Sequence, residues 1–224
     1  MNLLEMKGSW GPLTSWIHQQ VVARGMEPLY GRFADEVVPE GRGAQQVIDL
    51  GCGDGRLARI LAERHPDWTV RGLDLSPHMV GRARSLHGGV GNVRFEIGDA
   101  MALSLDDGSL DLVVSVASVK HWPDRARGIG EVMRVLRPGG TFCILEADSD
   151  CSPEAARRFV GYWRYVLPGT SRVLAAYFRG FVAGQALNHE ELTTLLDDAG
   201  FAAATFHRDD ELPFVTARVV KAAT

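Results

Sequence analysis

The chain has 224 residues, 46% hydrophobic and 23% charged, with a formal net charge of −4. That composition belongs to a folded domain, and it excludes a disordered chain and any global pull toward nucleic acid or an acidic membrane. Three cysteines, Cys52, Cys143 and Cys151, lack the close paired spacing of a zinc site and read as reduced thiols of a cytoplasmic protein.

Residues 1–44 carry helical patterns, with Trp10, Trp16 and Tyr30 among their aromatics. They lack a long apolar core behind a basic start, so a secretory signal is not expected. "QVIDL" (Gln46–Leu50) then reads as a strand and "GRLARILAERH" (Gly55–His65) as a helix. "WTVRGLDL" (Trp68–Leu75) is a strand, and "SPHMVGRARSL" (Ser76–Leu86) a helix capped by Ser76 with Pro77 in its first turn. "NVRFEIGD" (Asn92–Asp99) and "LDLVVSVA" (Leu110–Ala117) are strands. The second has lost its polar alternation, so both its faces are buried. It belongs to the longest apolar run, which is too short to span a bilayer. "RARGIGEVMRVL" (Arg125–Leu136) is a helix stopped by "RPGG", and "TFCILEAD" (Thr141–Asp148) is a strand.

Such alternation predicts a doubly wound, Rossmann-like α/β sheet with helices on both faces. Two further helical stretches, dense in aromatics, fall within 149–187 and are expected to form a cap insertion. "NHEELTTLLDDAGF" reads as a helix capped at Asn188, and "FAAATFHRD" and "LPFVTARVV" as a closing pair, so the sheet is mostly parallel with an antiparallel closing strand. The expected partition is an N-terminal helical segment (1–44), a ligand-binding core (45–148), the cap (149–187), and a helix with closing strands of the core (188–224).

Ligands of such sheets sit beyond the carboxyl ends of the strands, where the glycine cluster of "VIDLGCGDG" (Val47–Gly55) falls. A triphosphate loop would need Gly-Lys-Ser/Thr, but Arg56 and Leu57 follow Gly55. The looser dinucleotide pattern is met by Gly53, Gly55 and Ala58, with Asp74 as the acidic ribose partner, so an NAD-type oxidoreductase stays open. The third reading is a resemblance. "VIDLGCGDG", "GLDLSPHMV" (Gly72–Val80), "GDAMALSL" (Gly98–Leu105), "DLVVSVASVKHWPD" (Asp111–Asp124) and "VLRPGG" (Val135–Gly140) follow one another at the spacing of the class I S-adenosylmethionine-dependent methyltransferases, and the chain resembles the small-molecule group of that family over residues 40–147.

The residues agree with that cofactor. It carries no phosphate, and its methionine end bears a carboxylate and an ammonium. Gly51 and Gly53, with Cys52 between them, let the backbone turn sharply and approach that end. The N-terminus of the helix after Gly55 favours the carboxylate. Asp49 balances the ammonium, and Asp74 accepts both ribose hydroxyls. The resemblance implies that Asp99 accepts from the adenine amino group, that the Ala100 amide meets a ring nitrogen, and that Leu75 and Met79 sandwich the base; turn or capping roles for Asp74 and Asp99 and a core role for Met79 are the alternatives. Asp54 reads as a helix-start residue.

Methyl transfer is an in-line displacement that mostly needs positioning and exclusion of water. The segment after the fourth strand, "SVASVKHWPD", faces the methyl group in this family. It is neither Asn/Asp-Pro-Pro-Tyr nor Pro-Cys, and the absence of acidic residues there before Asp124 gives no metal site. Where the group often shows a His-His pair, this chain has Lys120-His121. His121 is the candidate base, with loop anchoring before Pro123 as the alternative. Ser115 is either a contact for the methionine end or a satisfied buried hydroxyl. Lys120 reads as exposed. The aromatics of 149–187 (Phe159, Tyr162, Trp163, Tyr165, Tyr177, Phe178 and Phe181) are expected to wall an acceptor pocket, with its arginines on solvated faces. The expectation is a methyltransferase acting on a small-molecule acceptor, without nucleic acid or membrane, with a homodimer possible. A cofactor-binding regulator on the same fold is the non-catalytic alternative.

Overall fold

The computed structural model describes residues 26–39, 45–163, 169–209 and 211–223. Trp10, Trp16 and Tyr165 lie outside the described residues. The elements in chain order are α1 (Glu27–Glu36), β1 (Gln46–Leu50), α2 (Arg56–Arg64), β2 (Thr69–Asp74), α3 (Pro77–His87), β3 (Val93–Ile97) and β4 (Leu110–Val116). A single 3-10 turn (Val119–His121) leads to α4 (Arg125–Val135) and β5 (Leu136–Ala147). Then come α5 (Pro153–Gly161), α6 (Ser171–Tyr177), α7 (His189–Asp198), β6 (Ala202–Arg208) and β7 (Phe214–Val220).

The seven strands form one sheet in the order β3-β2-β1-β4-β5-β7-β6. The first five strands in the chain are parallel, and β7 runs antiparallel to both β5 and β6. The order reverses between β1 and β4, so the crevice beyond those two strand ends is the switch point where ligands bind. The dinucleotide fold instead continues in the order 3-2-1-4-5-6 with parallel strands. An antiparallel β7 in the sixth place departs from that fold and from the NAD reading.

The sheet buries an apolar layer on each face. Phe33 of α1, Leu57 and Leu61 of α2, Val80 of α3, and Phe159 and Phe178 of the insertion pack on one face. Ile129 and Val132 of α4, with Leu192 and Leu196 of α7, pack on the other. Local signals act as the sequence suggests. Ser76 accepts from the Met79 amide, and Asn188 and Glu191 form a capping box. "RPGG" behaves differently from expectation. It belongs to β5, which leaves α4 directly at Leu136, while the Lys221 ammonium donates to the Met133 and Leu136 carbonyls at 2.8 and 2.7 Å. The cation at that helix end comes from beyond β7. α6 runs into a π turn over Phe178–Val182.

Candidate functional site

The glycine turn between β1 and α2 is held by its own hydrogen bonds. The Gly51 and Cys52 amides both donate to the Leu73 carbonyl at 2.8 and 3.0 Å, and the Gly55 amide to the Cys52 carbonyl at 2.9 Å. The Gly53 amide donates to Asp74 Oδ2 at 2.9 Å. These glycines therefore supply shape, because four of the turn's amides are spent inside the protein. Each has a different reason to be glycine. Gly51 has φ +78°, and a Cβ there would lie 1.9 Å from Ser118 Oγ. Gly55 has φ +82°, and its Cβ would strike the Phe95 ring at 2.5 Å. At Gly53, with φ +55°, a Cβ would meet only Met79 Cε, at 3.5 Å. Gly51 and Gly55 serve packing, and Gly53 keeps space open beside Met79.

Two carboxylates from the strand ends brace this turn. Asp74 accepts from Gly53 with Oδ2 and from the Ser76 amide with Oδ1 at 2.8 Å. Each oxygen keeps a second lone pair for an outside donor. Burial raises the Asp74 pKa, and the two amides oppose that rise. Asp49 is 2% exposed, and its Oδ2 accepts from the Ala58 amide in the first turn of α2 at 3.1 Å. The helix-start position expected for a ligand carboxylate is thus partly filled by the protein's own carboxylate, since Gly55 offers no side-chain cap. Burial pushes the Asp49 pKa up to about 7; the Ala58 amide lowers it, while Asp74 and Asp54 raise it.

Asp54 is also buried and pairs with Arg56 at 3.1 Å, so it is more than a helix-start residue. Tyr30 of α1 stands near Asp54, Asp49, Arg56 and Cys52, and burial, then the Asp54 charge, raise its pKa. The N-terminal helix therefore reaches this cleft through Tyr30. Cys52 is buried, with its sulfur 3.0 Å from where a Gly72 Cβ would be, and burial raises its thiol pKa well above the usual value. Its side chain is packing, and only its backbone belongs to the turn.

Beyond β2, Leu75 is 50% exposed, unusual for a large apolar side chain beside a buried turn. Ile97, paired with Asp74 in the β2–β3 register, is 58% exposed, and sequence reading passed over it as an ordinary strand residue. Asp99 follows β3 and accepts from the Met101 amide through Oδ1 at 2.9 Å, with Ala100 buried beside it. Asp49, Gly51, Cys52, Gly53, Asp74, Leu75, Met79, Asp99 and Ala100 thus gather around the ends of β1, β2 and β3.

Ser115 is not at the cleft surface. It is fully buried, and its hydroxyl donates to the Leu50 carbonyl at 3.0 Å, tying β4 to β1. The group that meets the glycine turn is Ser118, just after β4, whose Oγ accepts from Trp122 Nε1 at 3.1 Å. Lys120 is the reverse of its expected exposed state. Its side chain is 7% exposed, 3.6 Å from Glu146 Oε2, and donates to the Ala117 carbonyl at 3.1 Å. His121 ends the 3-10 turn with an exposed side chain. Among the described aromatics of the insertion, Phe159, Trp163 and Phe178 build core rather than a pocket wall, buried against one another and, through Phe159, Phe214. Tyr162 and Tyr177 are exposed, and the Phe181 side chain lies outside the described residues. A cavity of about 240 Å³ lies between α1 and the β5–β7–β6 side, lined by Arg32, Leu145, His207, Asp209 and Phe214 among others.

At the switch point, Asp49, Asp54 and Asp74 surround a turn whose amides are occupied within the protein, an arrangement with few free backbone donors for a phosphate. The comparisons point to the class. A family described as a methyltransferase domain matches residues 48–144. A demethylmenaquinone methyltransferase of Thermus thermophilus is 32% identical over 163 residues, 72% of this chain and 74% of that protein. A 2-methyl-6-phytyl-1,4-hydroquinone methyltransferase of Synechocystis is 42% identical over 100 residues, 45% of this chain, and the match spans only 31% of that relative's length. The solved structure of an S-adenosylmethionine-dependent methyltransferase of Thermotoga maritima, titled a possible histamine N-methyltransferase, shares the fold. Its TM-score is 0.66 at 21% identity, over 94% of this chain and 96% of that one. The chain belongs to the class I S-adenosylmethionine-dependent methyltransferase family.

Proposed function

We propose that this protein transfers the methyl group of S-adenosylmethionine to a small organic acceptor. The observation that carries the reading is the acidic cleft: Asp49, Asp54 and Asp74 converge on a glycine turn whose one open position is Gly53. A cofactor with an ammonium and a sulfonium offsets that negative charge, and its uncharged ribose needs acceptors, not an amide cradle. In this reading Asp74 takes the ribose hydroxyls with its remaining lone pairs. Leu75, Met79 and Ile97 flank the base, and Asp99 and the Ala100 amide meet its edge. Asp49 faces the ammonium. The two quinone-type relatives support a small acceptor.

His121, exposed at the end of the 3-10 turn, takes the proton when the acceptor must lose one. Three free, buried cysteines suit a reducing, cytoplasmic compartment. Among the described residues no helix is long and apolar enough to cross a membrane. Exposed Tyr162 and Val173 of the cap are the surface we assign to a second copy of the chain, and mass in solution checks this.

The test is calorimetry with S-adenosylmethionine and NAD, followed by a screen of metabolite extract with methyl-labelled cofactor. Binding of the first and labelled small products are expected. Asp74→Ala should weaken cofactor binding by about 1.5–3 kcal/mol, the scale of a hydrogen bond to a charged group. Tight binding of NAD, or unchanged affinity in a folded Asp74→Ala variant, sinks the assignment.

A further inference from the structure

The segment between β4 and α4 is held from below by a carboxylate that the cofactor motifs do not include. Glu146, near the end of β5, is completely buried. Its Oε1 accepts from the Val119 amide at 2.7 Å. Its Oε2 makes no hydrogen bond and faces Lys120 Nζ at 3.6 Å. Lys120 in turn holds the carbonyl of Ala117, whose φ of +54° is the one positive value at a non-glycine among the described residues. A carboxylate, an ammonium and a left-handed residue are all costly where they stand, and they persist because each holds another. Ser118, between Ala117 and Val119, is pressed onto Gly51 and fixed by the Trp122 indole.

We infer that Glu146 is a positioning residue for methyl transfer: with Lys120 it sets residues 117–121 against the glycine turn, so that the acceptor-side segment and the cofactor turn move as one body. This rests on the methyltransferase reading above. Glu146 touches neither cofactor nor acceptor in this assignment. It acts through the Val119 amide and Lys120, and its effect is alignment, for which a displacement of about 1 Å can cost a hundredfold in rate.

The experiment follows the Trp122 indole N–H by NMR in the full chain, with and without S-adenosylmethionine, in the wild type, Glu146→Gln, Lys120→Met and the double variant. The double variant removes both charges and serves if either single variant fails to fold. In the free protein, Glu146→Gln should move or broaden the Trp122 indole signal, which reads the segment's placement whatever ligand the protein binds. On adding cofactor, the wild-type signal should shift. In the variants that shift should fall at least about twofold while cofactor Kd changes less than about threefold. With an acceptor in hand, kcat should drop about ten- to a hundredfold at near-constant cofactor KM, and the double variant should lose no more than the worse single one. An unmoved Trp122 signal in the free variants, or wild-type kcat in both single variants, overturns the inference. Failure of the wild type to bind S-adenosylmethionine, with Trp122 still displaced by Glu146→Gln, overturns the methyltransferase reading and leaves the positioning role standing.

Discussion

At the scale of single residues, the carboxylate whose charge a ligand would change is Asp49. Asp49 has a pKa pushed up to about 7 by burial, against about 3.9 in an unfolded chain. Between these values the folded state binds the extra proton. Its contribution to stability is therefore full below about pH 4 and lost as pH rises through 7. A cationic cofactor reverses the preference, because its ammonium favours the carboxylate. Affinity should rise from pH 6 to pH 8 with proton release on binding, measured by calorimetry in buffers of different ionisation enthalpy; a flat profile would remove Asp49 from the ammonium's surroundings. The two first glycines separate packing from approach. Gly53→Ala meets nothing closer than Met79 Cε at 3.5 Å, so it should fold with a strain of roughly 1–2 kcal/mol and still weaken cofactor binding tenfold or more. Gly51→Ala carries the same left-handed strain and also drives a methyl into Ser118, so it should lower the melting temperature of the free protein further than Gly53→Ala does. Equal effects of both on melting and on binding would show that Gly53 is structural too.

At the scale of elements, the cap divides into a buried and an exposed side. Phe159 is fully buried with ring contacts to Trp163, Phe178 and Phe214. Phe159→Ala should cost about 3–5 kcal/mol in denaturant unfolding. Tyr162 is 58% exposed, and Tyr162→Ala should change stability by about 0.5 kcal/mol or less. If Tyr162 meets a second copy, the substitution instead halves the mass in solution. This division was hidden in the sequence, where aromatics at helical spacing look alike whether they face core or pocket. What could be read there was local. The glycine turn, the Ser76 and Asn188 caps, and the strand ends at Asp49 and Asp74 lie within a few residues of their signals. What could not be read came from partners far along the chain. Glu146 holds Lys120 and Lys221 caps α4, and each pairing exists only once the sheet is assembled. Ser115 was ambiguous for the same reason, since its acceptor Leu50 is 65 residues away.

At the scale of the whole molecule, the cofactor cleft joins loops from β1, β2, β3 and β4, so binding should stabilise the entire sheet. At a hundred times Kd the gain is about 2.7 kcal/mol, or roughly 5–10 °C in melting temperature for a chain of this size. A thermal scan with S-adenosylmethionine, set beside one with NAD, reads this directly, and no shift above a degree or two would mean that the cleft does not take that cofactor. The sheet order carries a further consequence for how the protein is made. β7 lies between β5 and β6, yet follows both in the chain. When β6 leaves the ribosome it has no strand to pair with, and the apolar flank of β5 stands open until Phe214–Val220 has emerged. The last strand in the sheet's chain order is thus the keystone of its far side. A released chain that ends before residue 214 is expected to hold five paired strands and one unpaired, and to be the species on which chaperones and proteases act.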